Sequence, residues 1–196
     1  MKENCIKSSV VKKTAPQKAK PAAVQLVCGK EVSSIRKRDF TKENLPDIPI
    51  VLARLELDLS GYNKALVSLD FYTMLEVRER VGPGENSSTG LILNFALSRE
   101  CGGRRETLKT YQQIIFIGLA ADGDRYDFRD SLYFIFCDEL ACRQECCIYT
   151  VELAGIEVID PANGEDENIH RELNIEDSVL KAIIQETSML QLGGVK

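Results

Sequence analysis

In segment after segment this chain alternates apolar and polar side chains with a period of two, a pattern that buries one continuous apolar face only when the backbone is extended. In PIVLARLELDLS, Val51, Ala53, Leu55, Leu57 and Leu59 share a face opposite Arg54, Glu56 and Asp58. KALVSLDFYTMLEV follows the same rule at Ala65, Val67, Leu69, Phe71, Leu75 and Val77, with Thr73 the exception. GLILNFALS turns Leu91, Leu93, Phe95 and Leu97 one way, and CIYTVELAGIEVI does so with Tyr149, Val151 and Leu153. YQQIIFIGLA and SLYFIFCDE are aromatic and β-branched runs of strand length, separated by a polar segment, Ala121 to Asp130, that reads as a turn. AAVQLVC at the front and SVLKAIIQE at the back bring the candidates to eight.

Short linkers at Ser60 to Asn63 and around Gly82, Pro83 and Gly84 suit antiparallel neighbours, and no crossover helix is visible that a parallel sheet would need. The expected fold is therefore all-β: an antiparallel two-sheet sandwich, an eight-stranded jelly roll, over residues 23–196. The last candidate is ambiguous. Ile175, Val179, Leu180, Ile183, Ile184 and Thr187 also follow helical spacing, and Asn174 with Asp177 would cap such a helix.

Residues 1–22 differ from the rest. Six lysines against Glu3 give this segment a net charge of +5 in a chain of −5, leaving −10 on the body. Pro16 and Pro21 oppose a continuous helix, and the expectation is an extended N-terminal connector arm. Val10 and Val11 are its adjacent apolar pair and would add a short strand to an exposed sheet edge, with Cys5 as a covalent anchor. The acidic balance argues against nucleic acid as a partner, and no stretch reaches the ~18–20 apolar residues of a membrane span. An apolar leader is also missing from the N-terminus.

Catalytic constellations are scarce. His170 is the single histidine and stands in the acidic stretch EDENIHRE, where it reads as a solvated loop residue. Gly82-Pro83-Gly84 lacks the ending of a phosphate loop, and the aspartates of ADGDRYDFRD lack the closing glutamate of a calcium loop. The chain is read as a non-enzyme without a cofactor.

Seven cysteines carry the strongest chemical signal: Cys5, Cys28, Cys101, Cys137, Cys142, Cys146 and Cys147. Four of them lie in CDELACRQECC. A zinc site is one reading, but adjacent Cys146 and Cys147 on a strand would point their sulfurs to opposite faces. A disulfide framework with Cys5 reaching another chain is the second, and reduced, buried cysteines the third.

The signature F-C-D-x-x-A-C-x-x-x-C-C-x-Y-T-V-E-L ending at Leu153, with L-V-C-G at Leu26 to Gly29 and A-x-x-Q at Ala182 to Gln185, resembles a Cys-rich domain family of spore-forming Clostridia. In design it is similar to the jelly-roll subunits of endospore appendages. That resemblance implies polymerisation through an N-terminal connector and disulfides, and makes SVLKAIIQE the last sandwich strand. It also implies an extracellular place on a spore or cell surface, reached without secretion by mother-cell lysis. The expected function is a structural subunit that self-assembles head-to-tail into a fibre or surface appendage, its partner being itself. A soluble binding module is the alternative, either a carbohydrate-binding jelly roll or a Cys-rich zinc-binding domain. With 13 aromatic residues and no Trp, a sugar platform is poorly supplied.

Overall fold

The computed structural model describes residues 24–42, 44–81, 87–120, 125–140, 146–159 and 169–186. The expected arm, with Cys5, Val10 and Val11, lies outside them, as do Cys142 and the Gly82–Pro83–Gly84 loop. All regular elements among the described residues are strands: β1 (Val24–Cys28), β2 (Lys30–Glu31), β3 (Ile35–Phe40), β4 (Ile50–Asp58), β5 (Ala65–Val81), β6 (Ser87–Cys101), β7 (Arg104–Ala120), β8 (Arg125–Leu140), β9 (Cys146–Ile159) and β10 (Ile169–Glu186).

They form two antiparallel sheets. One runs β1-β10-β5-β8 with β3 also on β10, and the other runs β2-β4-β9-β6-β7. Taking β1, β2 and β3 as one interrupted first strand, the orders become 1-8-3-6 and 2-7-4-5, which is a jelly roll. The eight expected strands are all present, and the two additional pieces are the short β2 and β3. The interruption has a local cause at Gly29. Its amide donates to the Leu180 carbonyl at 2.7 Å, and a Cβ there would meet the Arg54 and Leu180 carbonyl oxygens at 2.7 and 2.8 Å. The chain therefore passes from one sheet to the other through a gap that admits no side chain.

The core lies between the sheets where the alternation put it. Leu57, Leu69, Phe71, Phe95 and Val151 are all buried. Bulges account for the departures. A register shift between Val51 and Ala53 turns Leu52 inward with Ala53 and leaves Val51 half-buried, so the expected inward face of β4 fails at its first residue. In β10 a bulge between Glu176 and Val179 moves the buried set from Leu173 and Ile175 to Leu180, Ala182 and Ile184. That one-residue slip makes a strand look helical in sequence, and pairing with β1, β3 and β5 decides for the strand. Thr73, the polar exception in β5, serves this bulge: its hydroxyl donates to the Glu176 carbonyl at 3.0 Å and lies 2.8 Å from the Ser178 hydroxyl.

Two loop expectations are corrected. Arg125–Asp130 is not a turn but the start of β8, paired with β5 from Arg80 to Leu75. His170 is exposed on β10 and not in a loop.

Candidate interaction face and the cysteines

The sheet with β5 at its centre presents two unlike halves to solvent. In the half nearer β1, strand register aligns Leu26, Ile183, Ser68 and Cys137 in one row, Cys28, Lys181, Asp70 and Ile135 in the next, and Val179, Tyr72 and Tyr133 in a third. Leu26 is 64% exposed, Tyr133 56% and Ile135 55%, and with Val179, Ile183 and Tyr72 at 37–38% large apolar side chains on four strands reach solvent around Asp70 and Lys181. Scattered exposed hydrophobes are ordinary on a domain of this size, whereas a contiguous group marks a contact surface.

On the outer face of the other sheet Ile114 and Phe116 of β7 are also exposed, beside a network of polar groups. Arg105 donates to Glu152 at 2.6 Å, Asn94 to Glu157 at 3.0 Å, and Gln112 to Asn94 at 3.1 Å. Both sheets end in long strands, β8 and β7, each paired along one edge only among the described residues. Unpaired edges of this length are templates for another strand.

Cys28 and Cys137 flank the apolar half as exposed free thiols on its two outermost strands. Three strand spacings separate them, roughly 14 Å, which is too far for a bond to one another. Cys147 is buried on β9 and bonded to Cys101 on β6, with the two Cα atoms 4.5 Å apart. This links adjacent strands of one sheet and leaves neither sulfur as a thiolate for a metal. Cys146 points the other way along β9, half-buried, and is also disulfide-bonded. The expectations for Cys5, Cys142, Val10 and Val11 lie outside the described residues.

Next to Cys137 the chain turns inward at Asp138, a feature that sequence reading missed. Its Oδ2 accepts from the Tyr149 phenol at 2.7 Å and from Arg99 at 2.5 Å, tying β8 to β9 and β6 across the sandwich. Arg99 also pairs with Glu106. Burial, then the hydrogen bond and charge of Asp138, push the Tyr149 phenol far above its ordinary value. Burial works against the charge on Arg99, but Asp138 and Glu106 outweigh it and raise its pKa. A Tyr inside an otherwise apolar strand face, six residues from the nearest arginine or aspartate in sequence, was the only signal for this seam. Beside it Tyr111 stacks on Phe134 at 3.8 Å and closes the β7–β8 side.

Fold and face together define a small all-β jelly-roll domain with an apolar surface that none of the described residues covers. The chain belongs to the family described as Domain of unknown function (DUF4489), whose model matches residues 22–167. No curated protein matches it. Among solved structures it is similar to infectious bursal disease virus, Gx strain, at 11% identity and a TM-score of 0.33, covering 86% of this chain and 37% of that one. A structure of the T13 viral particle of the same virus gives 12% identity and a TM-score of 0.26, over 87% and 41% of the two chains. The chain thus spans about two fifths of these neighbours, and a likeness at this level says nothing about function.

Proposed function

We propose that this protein is a structural subunit that self-assembles, and that its assembly is an extracellular fibre or spore-surface appendage. The observation that carries the reading is the exposed apolar half-face flanked by the free thiols of Cys28 and Cys137. A second copy is the occupant that fits it. The segment preceding Val24 joins the chain at that face, carries Cys5 and the Val10–Val11 pair, and bears +5 against a body of −10. Residues 1–22 of one copy dock on the next, Val10 and Val11 extend a free edge such as that of β8, and Cys5 closes a disulfide. A contact of this head-to-tail kind does not close on itself unless its rotation forms a ring, so it propagates. The Cys101–Cys147 disulfide supports the extracellular location, because such bonds form and persist in oxidising compartments.

The test is negative-stain imaging and size-exclusion chromatography of the full chain beside three variants. Full-length protein is expected to form filaments. Deletion of residues 2–20, or Tyr133→Lys with Ile135→Lys, is expected to leave folded monomers. Cys5→Ser is expected to assemble but to dissolve in detergent. Filaments unchanged by the deletion would overturn the role of the arm, and a monomeric full chain under oxidising conditions would overturn assembly itself.

A further inference from the structure

Far from the apolar half, the same sheet ends in an open cleft of about 610 Å³ where β3, β5, β8 and β10 meet. We propose that this cleft binds a multivalent oxyanion, a ligand bearing two or three phosphate or carboxylate groups. The inference does not depend on self-assembly.

It begins with strand register. Arg80 on β5 stands directly opposite Arg125 on β8 and, on its other side, directly opposite His170 on β10. Arg38 on β3 lines the same cleft. Like charges directly opposite across strands destabilise a sheet, so this arrangement is a cost that folding alone does not explain.

Asp39, Glu79 and Glu172 line the cleft as well, each beside an arginine or His170. Glu79 is buried and held by Arg171, whose Nε lies 2.8 Å from its Oε1. Glu172 lies 3.5 Å from Arg78, a guanidinium that also meets Glu76 at 2.9 Å and Asp127 at 3.4 Å. Arg125 reaches the same Asp127 at 3.3 Å. Asp39 comes within 4.0 Å of His170. Among the described residues the side chains of Arg80 and Arg38 have no ion pair at all, in a chain whose net charge is −5.

Spacing narrows the ligand. Adjacent strands lie about 4.8 Å apart, so Arg125, Arg80 and His170 form a row roughly 10 Å long. A single small ion would satisfy one of them. An anion with several charged groups spans the row, and each guanidinium fork accepts a phosphate or carboxylate through two parallel hydrogen bonds.

Isothermal titration of the full-length protein with pyrophosphate, tricarballylate and acetate at physiological ionic strength tests this. One multivalent anion is expected to bind with one-to-one stoichiometry, and its identity distinguishes a phosphate from a carboxylate ligand. Arg80→Gln is expected to weaken that binding at least tenfold. Arg104→Gln, an exposed arginine on the hairpin at the opposite end, is expected to leave it unchanged. Without ligand, Arg80→Gln is expected to melt about 1–3 °C higher, since it relieves repulsion between opposed cations. Binding no better than acetate for both multivalent anions, or equal weakening by the two substitutions, would overturn the proposal.

Discussion

Removal of the Cys101–Cys147 bond is the perturbation whose size follows most directly from the structure. The cysteines are 46 residues apart in sequence, and cross-linking a loop of that length removes about 4 kcal/mol of conformational freedom from the unfolded chain at 25 °C. For a domain of this size each kcal/mol moves the melting temperature by about 2–4 °C, so Cys101→Ala/Cys147→Ala is expected to melt about 8–16 °C below the parent. Each single substitution breaks the same bond. Cys101→Ala alone should therefore cost nearly as much as the double variant, in contrast to two independent sites. Differential scanning calorimetry under non-reducing conditions supplies the comparison, with the reduced parent as a further arm. Alkylation before denaturation is expected to label Cys28 and Cys137 but not the buried pair. A double variant melting within about 2 °C of the parent would refute the reasoning, because the bond would then impose no constraint that the strand pairing had not already made.

Three other substitutions test named contacts. Tyr149→Phe removes a buried donor to a charged acceptor and should cost about 1.5–3 kcal/mol in urea titration. Because the phenol's folded pKa lies above its ordinary value of 10.0, its contribution is complete below that pH and is lost as pH rises beyond it, so the parent should lose stability faster than Tyr149→Phe in strong alkali. Glu76 behaves oppositely: the hydrogen bond from Arg129 outweighs burial and, with Asn174 and Arg78, holds its carboxyl below the ordinary 4.5. Its contribution is present above that pH and lost as pH falls, and Glu76→Gln should flatten the acid side of the stability profile. Gly29→Ala should destabilise by about 1–3 kcal/mol, since the added methyl meets two backbone carbonyls; an unchanged melting temperature would show that the crossing has slack.

Period-two alternation was enough to identify the long strands and their buried sets, because each of those strands buries one face and wets the other. What escaped were features set by pairing. A bulge changes which residues point inward without any local composition cue, as Leu52 beside Ala53 and the helical-looking run from Ile175 to Ile184 both show. Lys30–Glu31 and IRKRDF are too short and polar to reveal themselves as strands, and they pair only because β4 and β10 offer edges. The Gly102–Gly103 turn was legible and went unread: adjacent glycines with φ of 59° and 78° join β6 to β7 as a tight hairpin. Site residues were harder still. Nothing in sequence ties Cys147 to Cys101 rather than to a nearer cysteine, and Arg80, Arg125 and His170 meet only through the register of three strands.

The pairing of β1 with β10 gives the domain a direction. Val24 lies opposite Gln185, so the chain enters the fold and leaves it side by side at one end of the sheet. The row of Arg125, Arg80 and His170 lies at the start of β10, and the 18 residues of that strand span roughly 55 Å. Labels placed at Val24 and at Gln185 would therefore mark the same pole. A bulky label at Gln185 would crowd Val24, and labels meant to report orientation need one attachment at the far pole, on β6 near Gly90 or β9 near Ile159.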